Sequence, residues 1–461
     1  MPLSPSDALV FFGATGDLAY KQIFPSIQGL IRDEGLNIPI IGVAKSGWSL
    51  QQLRDRAKDS LESHGGLDQN AFKKLAELLR YVDGDYADPA TFTRVRKELG
   101  EAKAPLHYLA IPPSLFGAVA EGLARSRCGD GARVVVEKPF GHDLASAQGL
   151  NRILHQYFPE QSIFRIDHYL GKEPVQNILY TRFANSMFEP IWNRVYVRSI
   201  QITMAEKFGV QDRGHFYDET GALRDVVQNH MLQVLANLIM EPPTGEGHEA
   251  VRDQKALLLK AIRPLSPESA VRGQYKGYLS VPGVAPGSSI ETFVAVKLSV
   301  ETWRWAGVPI YIRAGKEMPV TATEVVVEFK RPPRETFPEI VPTTSSHMRF
   351  RLSPDITIAL GMRVKTPGER MAGSDLELVL KRETKVDEPP YQRLLGDAMR
   401  GNGELFARQD AVEAQWSIAQ PILGNVTPLY TYEPGTWGPE EAHQLIGSDG
   451  PWVNPDQSQA T

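Results

Sequence analysis

Short apolar runs alternate with amphipathic segments along the first third of the 461-residue chain. The runs that predict strands are ALVFFG, IPIIGVA, YVDGD, HYLAIPP, RVVVE and SIFRI. Helical spacing of apolar positions covers residues 18–32, 50–63, 69–79 and 115–125, with a further helix expected to start at Asp88. Continuous apolar strands are buried on both faces, which is typical of a parallel sheet between helices. The pattern therefore predicts an α/β, Rossmann-type doubly wound parallel domain over residues 1–170.

The pattern changes beyond Leu170. Long runs with alternating apolar and polar positions predict the strands VYVRSIQITMAE, ETFVAVKLSVET, VPIYIRAG, TEVVVEFK and ITIALGM. Helices are expected to cover these strands at about residues 221–238, 252–261 and 391–399. Long strands with few helical interruptions are typical of antiparallel sheets. Residues 171–461 are therefore predicted to form an α+β domain with a large, mainly antiparallel sheet, one face of which can pair with a second subunit.

Composition and charge are those of an ordinary globular protein. Apolar residues make up 42% and charged residues 23%, and 50 basic against 55 acidic residues give a formal charge of −5. This balance gives no reason to expect a nucleic-acid or membrane partner, and no run approaches the 18 apolar residues of a membrane span. The start of the chain lacks the regions of a secretory signal, and the single Cys128 cannot form an intrachain disulfide. We therefore expect a cytoplasmic protein, and without zinc-site spacing of Cys and His we expect no metal.

The sequence GATGDL follows the first predicted strand. In this fold ligands bind at the carboxyl ends of the strands, where a glycine lets the backbone approach a pyrophosphate and a helix N-terminus favours its charge. The candidate cofactor residues in this turn are Gly13, Thr15, Gly16, Asp17 and Leu18. The spacing is only part of the GxGxxG pattern, so a plain glycine turn remains the alternative.

The end of the second predicted strand bears on the choice of dinucleotide. An acidic residue there accepts a hydrogen bond from the ribose of NAD, whereas a cation binds the additional phosphate of NADP. Lys45 and Ser46 occupy this position. Asp33 and Glu34 lie before the strand, at its amino end, where they cannot contact the ribose. NADP is therefore the predicted cofactor, with NAD as a weaker alternative because lysine is a less selective phosphate ligand than arginine.

A dense polar cluster, RIDHYLGKE, covers residues 165–173 directly after the SIFRI run. Arginine, aspartate, histidine, lysine and glutamate accompany the hydroxyl of Tyr169 within these nine positions. A cluster of this kind at a strand end is either a solvated turn or a binding site.

Seven motifs, taken together, resemble the glucose-6-phosphate dehydrogenase family. In family order they are GATGDLA, EKPFG, RIDHYLGKE, FANSMFEPIWNR, RDVVQNH, RWAGVPIYIRAGK and DAMRGNGELFARQDAVEAQW. The resemblance covers nearly the whole chain. It implies an enzyme that oxidises glucose 6-phosphate to 6-phosphogluconolactone with hydride transfer to NADP, the first step of the oxidative pentose phosphate pathway. It also implies a homodimer or homotetramer.

The resemblance assigns a role to each candidate site residue. His230 matches the general base, whose ordinary pKa of about 6.5 suits proton transfer near neutral pH. Asp167 matches the carboxylate that orients this base, and Lys138 matches a residue between cofactor and substrate. The matches to the phosphate anchors are His168, Tyr169, Lys172 and Lys316, and the matches to the acceptors for sugar hydroxyls are Glu206 and Asp225.

The spacing of Asp225 and His230 bears on which carboxylate orients the base. On an α-helix, five residues rotate by about 500°, which leaves these two side chains about 140° apart. Asp225 is therefore expected to be a poor orienting partner, in agreement with the role in sugar binding that the resemblance gives it.

Two positions depart from the family pattern. Thr321 lies where the family usually has a lysine or arginine that faces the phosphate, and Tyr20 replaces a usual lysine beside the glycine turn. Loss of one charge-assisted hydrogen bond lowers phosphate binding by about 1.5–3 kcal/mol. Thr321 and Lys45 therefore leave a dehydrogenase with relaxed choice of sugar or cofactor as an alternative. A non-catalytic paralogue that senses NADP or modulates a partner enzyme is the alternative from a different class of protein.

Overall fold

The structure is a computed structural model that describes residues 5–334, 345–368, 371–381 and 388–456. The chain forms two compact units. The first comprises Met1–Lys172, Pro243–Asp253 and Val386–Glu413, and the second comprises Glu173–Pro242, Gln254–Lys385 and Ala414–Thr461. Two segments from later in the chain thus belong to the first unit. The predicted division into two domains, residues 1–170 and 171–461, stays a prediction.

The strands and α-helices of the described residues have the following bounds. The strands are β1 (Leu9–Phe12), β2 (Ile40–Ala44), β3 (Leu79–Asp83), β4 (Leu106–Leu109), β5 (Arg133–Val136), β6 (Ile163–Ile166), β7 (Val197–Ala205), β8 (Ala270–Tyr275), β9 (Phe293–Leu298), β10 (Ile310–Gly315), β11 (Ala322–Phe329), β12 (His347–Ser353), β13 (Thr357–Lys365), β14 (Gly373–Lys381), β15 (Phe406–Ala407) and β16 (Leu429–Tyr432). The helices are α1 (Phe24–Glu34), α2 (Leu50–Ser63), α3 (Gln69–Leu78), α4 (Pro89–Leu99), α5 (Phe116–Arg125), α6 (Leu144–His155), α7 (Glu173–Ala184), α8 (Gly214–Ala222), α9 (Leu232–Ile239), α10 (His248–Ala261), α11 (Pro390–Arg400), α12 (Gln409–Ala419) and α13 (Glu441–Ile446). None of the helices in the described ranges is long and apolar enough to cross a membrane.

The sheet of the first unit has the strand order β15-β6-β5-β4-β1-β2-β3. Strands β1 to β6 are parallel, and the two-residue β15 runs antiparallel to β6. Leu9 of β1 lies opposite both Ile40 and Leu106, so the strand order reverses between β1 and β4. Open α/β sheets bind ligands at this reversal, outside the carboxyl ends of the strands. The predicted Rossmann-type parallel domain is confirmed.

Local sequence accounts for the helix that follows β2. The Ser49 side chain accepts from the Gln52 N–H, and the Gln52 side chain accepts from the Ser49 N–H, which forms a capping box at the start of α2. The capping box thus fixes where α2 begins. The loop between β2 and α2 contains Lys45 and Ser46, which were predicted to select the cofactor.

Helix α11 belongs to the first unit, which corrects the prediction that residues 391–399 cover the second sheet. Its apolar face, with Leu394, Leu395 and Ala398, lies in the same buried cluster as Ile27 and Leu30 of α1. Helical periodicity identified the helix, but periodicity does not specify which sheet a helix covers.

The sheet of the second unit has nine strands in the order β14-β13-β12-β11-β7-β10-β9-β8-β16. Only the pairs β7/β10 and β8/β16 among these described strands are parallel. The other pairs are antiparallel, so the predicted large, mainly antiparallel sheet is confirmed. Strand β14 forms one edge, and Leu376, Leu378 and Leu380 lie on one of its faces with exposed fractions of 57–61%.

Two segments adopt π-helical geometry, in which hydrogen bonds run from residue i to i+5. One covers Ala19–Ile23, directly before α1, and the other covers Leu223–Met231, directly before α9. The sequence pattern predicted ordinary helical spacing over residues 18–32 and 221–238. Both helices exist, but each begins with wider turns than the periodicity indicated.

Candidate active site

The turn after β1 is built around Gly13. Its φ is +81°, and a Cβ at this position would lie 2.1 Å from the Ala110 carbonyl oxygen at the end of β4. The Gly13 N–H donates to the Val43 carbonyl and the Tyr86 hydroxyl, both at 2.9 Å. Only glycine tolerates both the left-handed φ and the close contact. The backbone of the turn at the carboxyl edge of the sheet is therefore not covered by a side chain at this position.

Helical backbone begins at Asp17 and Leu18, directly after this turn. The Gly16 N–H donates to the Gly13 carbonyl oxygen at 2.9 Å and closes the turn. Asp17 is exposed and lies 3.7 Å from Lys21. The combination of a tight glycine turn and a helix N-terminus fits the pyrophosphate of a dinucleotide.

The loop after β2 meets the glycine turn through two hydroxyls. The Thr15 Oγ1 and Ser46 Oγ atoms lie 2.7 Å apart. Lys45 directly precedes Ser46, and its exposed ammonium donates to the Asp85 carboxylate at 2.7 Å. This bond raises the pKa of Lys45 and lowers that of Asp85. The structure thus brings Thr15, Lys45 and Ser46 together, and it gives Lys45 an acidic neighbour that sequence reasoning missed.

A second carboxylate fixes the backbone of the same loop. Asp83, the last residue of β3, accepts from the Ser46 N–H at 2.9 Å and from the Gly47 N–H at 2.8 Å. These backbone donors, that of Ser46 first, lower the pKa of Asp83. These two hydrogen bonds to Asp83 fix the main chain of the loop after β2. The ribose end of a dinucleotide would therefore bind against a loop that β3 holds in place.

Lys138 follows β5, beside the half-buried Glu137. The Tyr108 hydroxyl donates to the Glu137 carboxylate at 2.5 Å, and the hydroxyl of Tyr391 is hydrogen bonded to the same group. Desolvation raises the pKa of Glu137 to about 7, against the opposing effects of Tyr108 and Lys138. A carboxyl group that titrates near neutral pH therefore adjoins the lysine proposed to lie between cofactor and substrate.

The RIDHYLGKE segment forms a compact turn after β6. The buried Asp167 accepts from the Tyr169 N–H at 3.0 Å, and the Lys172 ammonium lies 3.7 Å from the centre of the Tyr169 ring. The His168 ring stacks on Tyr391 of α11, with centroids 6.4 Å apart and planes inclined by 14°. All four predicted residues of this segment therefore lie together at the same sheet edge as the glycine turn.

In the second unit, a predicted phosphate anchor, Lys316, forms an ion pair with a predicted acceptor for sugar hydroxyls, Glu206. The buried Lys316 ammonium lies 2.5 Å from the Glu206 carboxylate. Burial raises the pKa of Tyr217 well above its ordinary value, and the negative charges of Asp225 and Glu206 act in the same direction. Lys316 also lies 5.6 Å from the Tyr217 ring centre. Lys316, Glu206 and Asp225 are thus gathered around Tyr217, which sequence reasoning did not identify.

His230 is buried on the π-helical segment Leu223–Met231. An i to i+5 bond brings residues five apart to neighbouring positions one turn later. The prediction that Asp225 and His230 point about 140° apart is therefore wrong, because it assumed α-helical geometry.

The start of this segment is held by a buried glutamate. Glu291 Oε1 accepts from the Leu223 N–H at 3.1 Å, and its carbonyl accepts from the Ala222 N–H at 3.0 Å. Gly221 has a φ of +67°, and a Cβ there would lie 2.5 Å from Glu291 Oε1. Burial raises the pKa of Glu291, although Arg272 lies 3.5 Å away. Glu291 therefore positions the helix that carries His230.

The two departures from the family pattern have structural roles of their own. Thr321 Oγ1 accepts from the Lys207 N–H at 3.0 Å. The Tyr20 hydroxyl donates to Asp59 at 2.7 Å, and the Arg56 guanidinium lies 3.9 Å from the Tyr20 ring centre. Neither residue adds a positive charge, but Tyr20 holds a cation, Arg56, close to Asp17 at 4.0 Å.

Four of the residues that sequence reasoning missed have partners that are distant in sequence: Asp83, Asp85, Tyr391 and Glu291. The charges of Asp225 and Glu206 that act on Tyr217 are only 8 and 11 positions away. Asp85 and Lys45 are 40 positions apart, and Glu291 and Leu223 are 68 apart. Only the acidic residues Asp83 and Asp85 had a detectable signal, since they lie at the carboxyl end of the predicted strand YVDGD, at the binding edge of the sheet.

The fold and the glycine turn define a dinucleotide-binding protein. Two family models match the chain, "Glucose-6-phosphate dehydrogenase, NAD binding domain" over residues 10–177 and "Glucose-6-phosphate dehydrogenase, C-terminal domain" over residues 179–453. The chain belongs to the glucose-6-phosphate dehydrogenase family.

Individual relatives match over almost their entire length. "Glucose-6-phosphate 1-dehydrogenase 1" of Mycobacterium tuberculosis is 44% identical over 98% of this chain and 97% of the relative, and an Aggregatibacter actinomycetemcomitans relative is 39% identical over 96% of each. The crystal structure of glucose-6-phosphate 1-dehydrogenase from Mycobacterium avium has a TM-score of 0.93 at 44% identity and covers 99% of this chain and 100% of that one. A glucose-6-phosphate dehydrogenase in complex with its substrate glucose-6-phosphate has a TM-score of 0.91 at 33% identity, with the same coverage.

Proposed function

We propose that this protein oxidises D-glucose 6-phosphate to 6-phospho-D-glucono-1,5-lactone and reduces NADP. One observation carries the proposal: the glycine turn after β1 and the polar turn Asp167–Lys172 after β6 lie at the same edge of one parallel sheet. A cofactor site and a site for an anionic substrate are thereby held on one rigid support. Family membership over nearly the whole chain identifies the sugar phosphate.

The reaction removes a hydride from the anomeric carbon and a proton from its hydroxyl, and the carbon–oxygen single bond becomes a carbonyl. Bound NADP supplies the hydride acceptor. Gly13 and the helix from Asp17 would hold its pyrophosphate, and Thr15, Lys45 and Ser46 would hold the ribose end.

His230 receives the hydroxyl proton in this proposal. Its place on a helix fixed by Glu291 supports the role, because a general base must be held within hydrogen-bonding reach of the proton. The pairing of His230 with Asp167 stays a prediction from the resemblance, as does the place of Lys138 between cofactor and substrate.

The phosphate and the sugar hydroxyls require fixed polar groups. His168, Tyr169 and Lys172 are proposed to bind the phosphate, and their compact turn with Asp167 supports this assignment. Lys316 is proposed as a further anchor, with Glu206 and Asp225 accepting from sugar hydroxyls. Charge-assisted bonds of this kind contribute about 1.5–3 kcal/mol each.

We also propose a homodimer formed through the second sheet. The exposed face of β14 with Leu376, Leu378 and Leu380 supports this, because an uncovered apolar edge strand is a site for pairing with another chain. A tetramer and a cytoplasmic location stay predictions.

The experiment that tests the function is an assay of reduced nicotinamide formation by absorbance, with glucose 6-phosphate and either NADP or NAD at matched concentrations. Sugar-dependent reduction supports the proposal. A folded protein that binds NADP but shows no reduction with either cofactor would be a binding paralogue. Comparable rates with unphosphorylated glucose would favour the relaxed dehydrogenase.

A further inference from the structure

The loop between β3 and α4 holds the Asp85 carboxylate in a fixed place. Asp85 Oδ1 accepts from the Ala87 N–H at 2.9 Å, and the Asp85 carbonyl accepts from the Thr91 hydroxyl at 2.8 Å. The next residue, Tyr86, bonds to the Gly13 N–H and donates to the Val43 carbonyl at 3.1 Å. The loop that carries Asp85 is therefore anchored to the glycine turn of the cofactor site.

The other carboxylate oxygen of Asp85 faces Lys45. Asp85 Oδ2 accepts from Lys45 Nζ at 2.7 Å, and the hydroxyl of the next residue, Ser46, contacts that of Thr15. Lys45 is thus paired with an acidic residue at the position proposed to select the cofactor.

The charges around this loop balance one another. The two negative charges are the carboxylates of Asp83 and Asp85. The two positive charges are Lys45, which is paired with Asp85, and Arg94, whose guanidinium donates to the Asp83 carbonyl at 3.0 Å. The loop therefore carries no excess of positive charge for a dianionic 2′-phosphate.

We infer that Asp85 is a specificity-determining residue that weakens the preference for NADP and supports binding of NAD. This inference rests on the proposed function, since it concerns the cofactor of the same reaction. A 2′-phosphate on Lys45 lies close to the Asp85 carboxylate and is repelled by it, whereas the 2′-hydroxyl of NAD donates a hydrogen bond to that carboxylate. Asp85 therefore acts against one cofactor and for the other.

The expected size of the effect follows from Coulomb's law. A carboxylate repels a dianion held a few ångströms away, and we expect this repulsion to change binding by about tenfold or more. Salt reduces such an effect, so the binding measurements belong at low ionic strength.

The test is direct binding of NADP and of NAD to the full-length protein by isothermal titration calorimetry, without sugar. Asp85→Asn keeps an oxygen acceptor for the Ala87 N–H but removes the charge. We expect the ratio of the NAD to the NADP dissociation constant to rise about tenfold or more. Asp130→Asn is the matched control, because Asp130 also forms an exposed ion pair, with Arg127 at 3.0 Å, before the amino end of β5. A change of less than twofold, or an equal change in the control, overturns the inference.

Lys45→Ala provides a second, independent measurement, also in case Asp85→Asn does not fold. If Asp85 repels the 2′-phosphate, removal of Lys45 leaves that repulsion uncompensated, and the variant binds NAD more tightly than NADP. A variant that binds both equally overturns the inference. Activity is measured in parallel: absence of sugar-dependent reduction together with a shifted binding ratio rejects the proposed function and leaves the role of Asp85 standing.

Discussion

The Glu291 carboxylate accepts a hydrogen bond from the Leu223 N–H, 3.1 Å away, at the start of the helix that carries His230. The two residues are 68 positions apart, and both are buried. A helix N-terminus has unpaired N–H groups and favours negative charge, so one carboxylate satisfies both requirements. The position of the proposed base thus depends on a residue outside every family motif that the sequence displays.

Glu291→Ala should destabilise the protein and reduce turnover. The substitution leaves the buried Leu223 N–H without an acceptor and Arg272 without its charge partner, which costs about 1–3 kcal/mol or more. The free energy of unfolding is measured by urea denaturation, and turnover by absorbance. Glu291→Gln is the control, because its amide oxygen still accepts from Leu223. Equal loss in both variants would mean that the charge, and not the hydrogen bond, is what matters.

Gly13→Ala should abolish cofactor binding or unfold the first unit. The left-handed φ costs about 1–2 kcal/mol for a residue with a Cβ, and contact at 2.1 Å with the Ala110 carbonyl adds to this cost. Gly35→Ala is the matched control, since Gly35 has a φ of +69° with no atom within 4 Å of the added Cβ. Thermal unfolding and NADP titration are the measurements. Similar behaviour of the two variants would contradict the role of the close contact.

Glu137 should make stability depend on pH. Its folded pKa, about 7, is above the ordinary value of 4.5, so the folded state holds a proton that the unfolded chain releases earlier. The contribution of Glu137 to stability is therefore full below pH 4.5 and is lost as the pH rises to 7. Glu137→Gln should remove this dependence, and its melting temperature relative to wild type should increase between pH 5 and pH 8. A constant difference across that range would show that Glu137 has an ordinary pKa.

Leu378→Glu should weaken self-association without unfolding the monomer. Leu378 is 61% exposed on the edge strand β14, so a charge costs little in the monomer but is buried unpaired in an interface. Sedimentation velocity over a range of concentrations measures the effect. Leu279→Glu, at a position that is 50% exposed outside the sheet, is the control. A dimer that persists in the Leu378 variant at micromolar concentration would exclude this edge as the interface.

Apolar periodicity predicted much of the fold because burial of both faces leaves a continuous pattern. LVFF of β1 is wholly buried, and IIGVA of β2 is too, so their runs were visible. Strand β14 was missed, although LELVLK alternates, and α11 was assigned to the wrong sheet because a local pattern does not identify its distant partner.

The candidate site was predictable only where its chemistry lies in contiguous motifs. RIDHYLGKE contains four site residues in one turn, and GATGDL contains the cofactor turn. The relation between Asp225 and His230 was predicted wrongly, since a π-helical turn does not change the sequence pattern that an α-helix produces. Contacts such as that between Lys45 and Asp85 arise from strand order, which the sequence shows only indirectly.

If His230 is the base in the oxidation of glucose 6-phosphate, His230→Asn should lower turnover without loss of sugar-phosphate binding. Wild type and variant are compared for NADPH formation at 340 nm with saturating glucose 6-phosphate and NADP, and for binding of the sugar phosphate by calorimetry. General base catalysis contributes about 10²–10⁴-fold, so we expect turnover to fall by at least that factor while binding is retained. Turnover near the wild-type value in a folded variant would exclude His230 as the base.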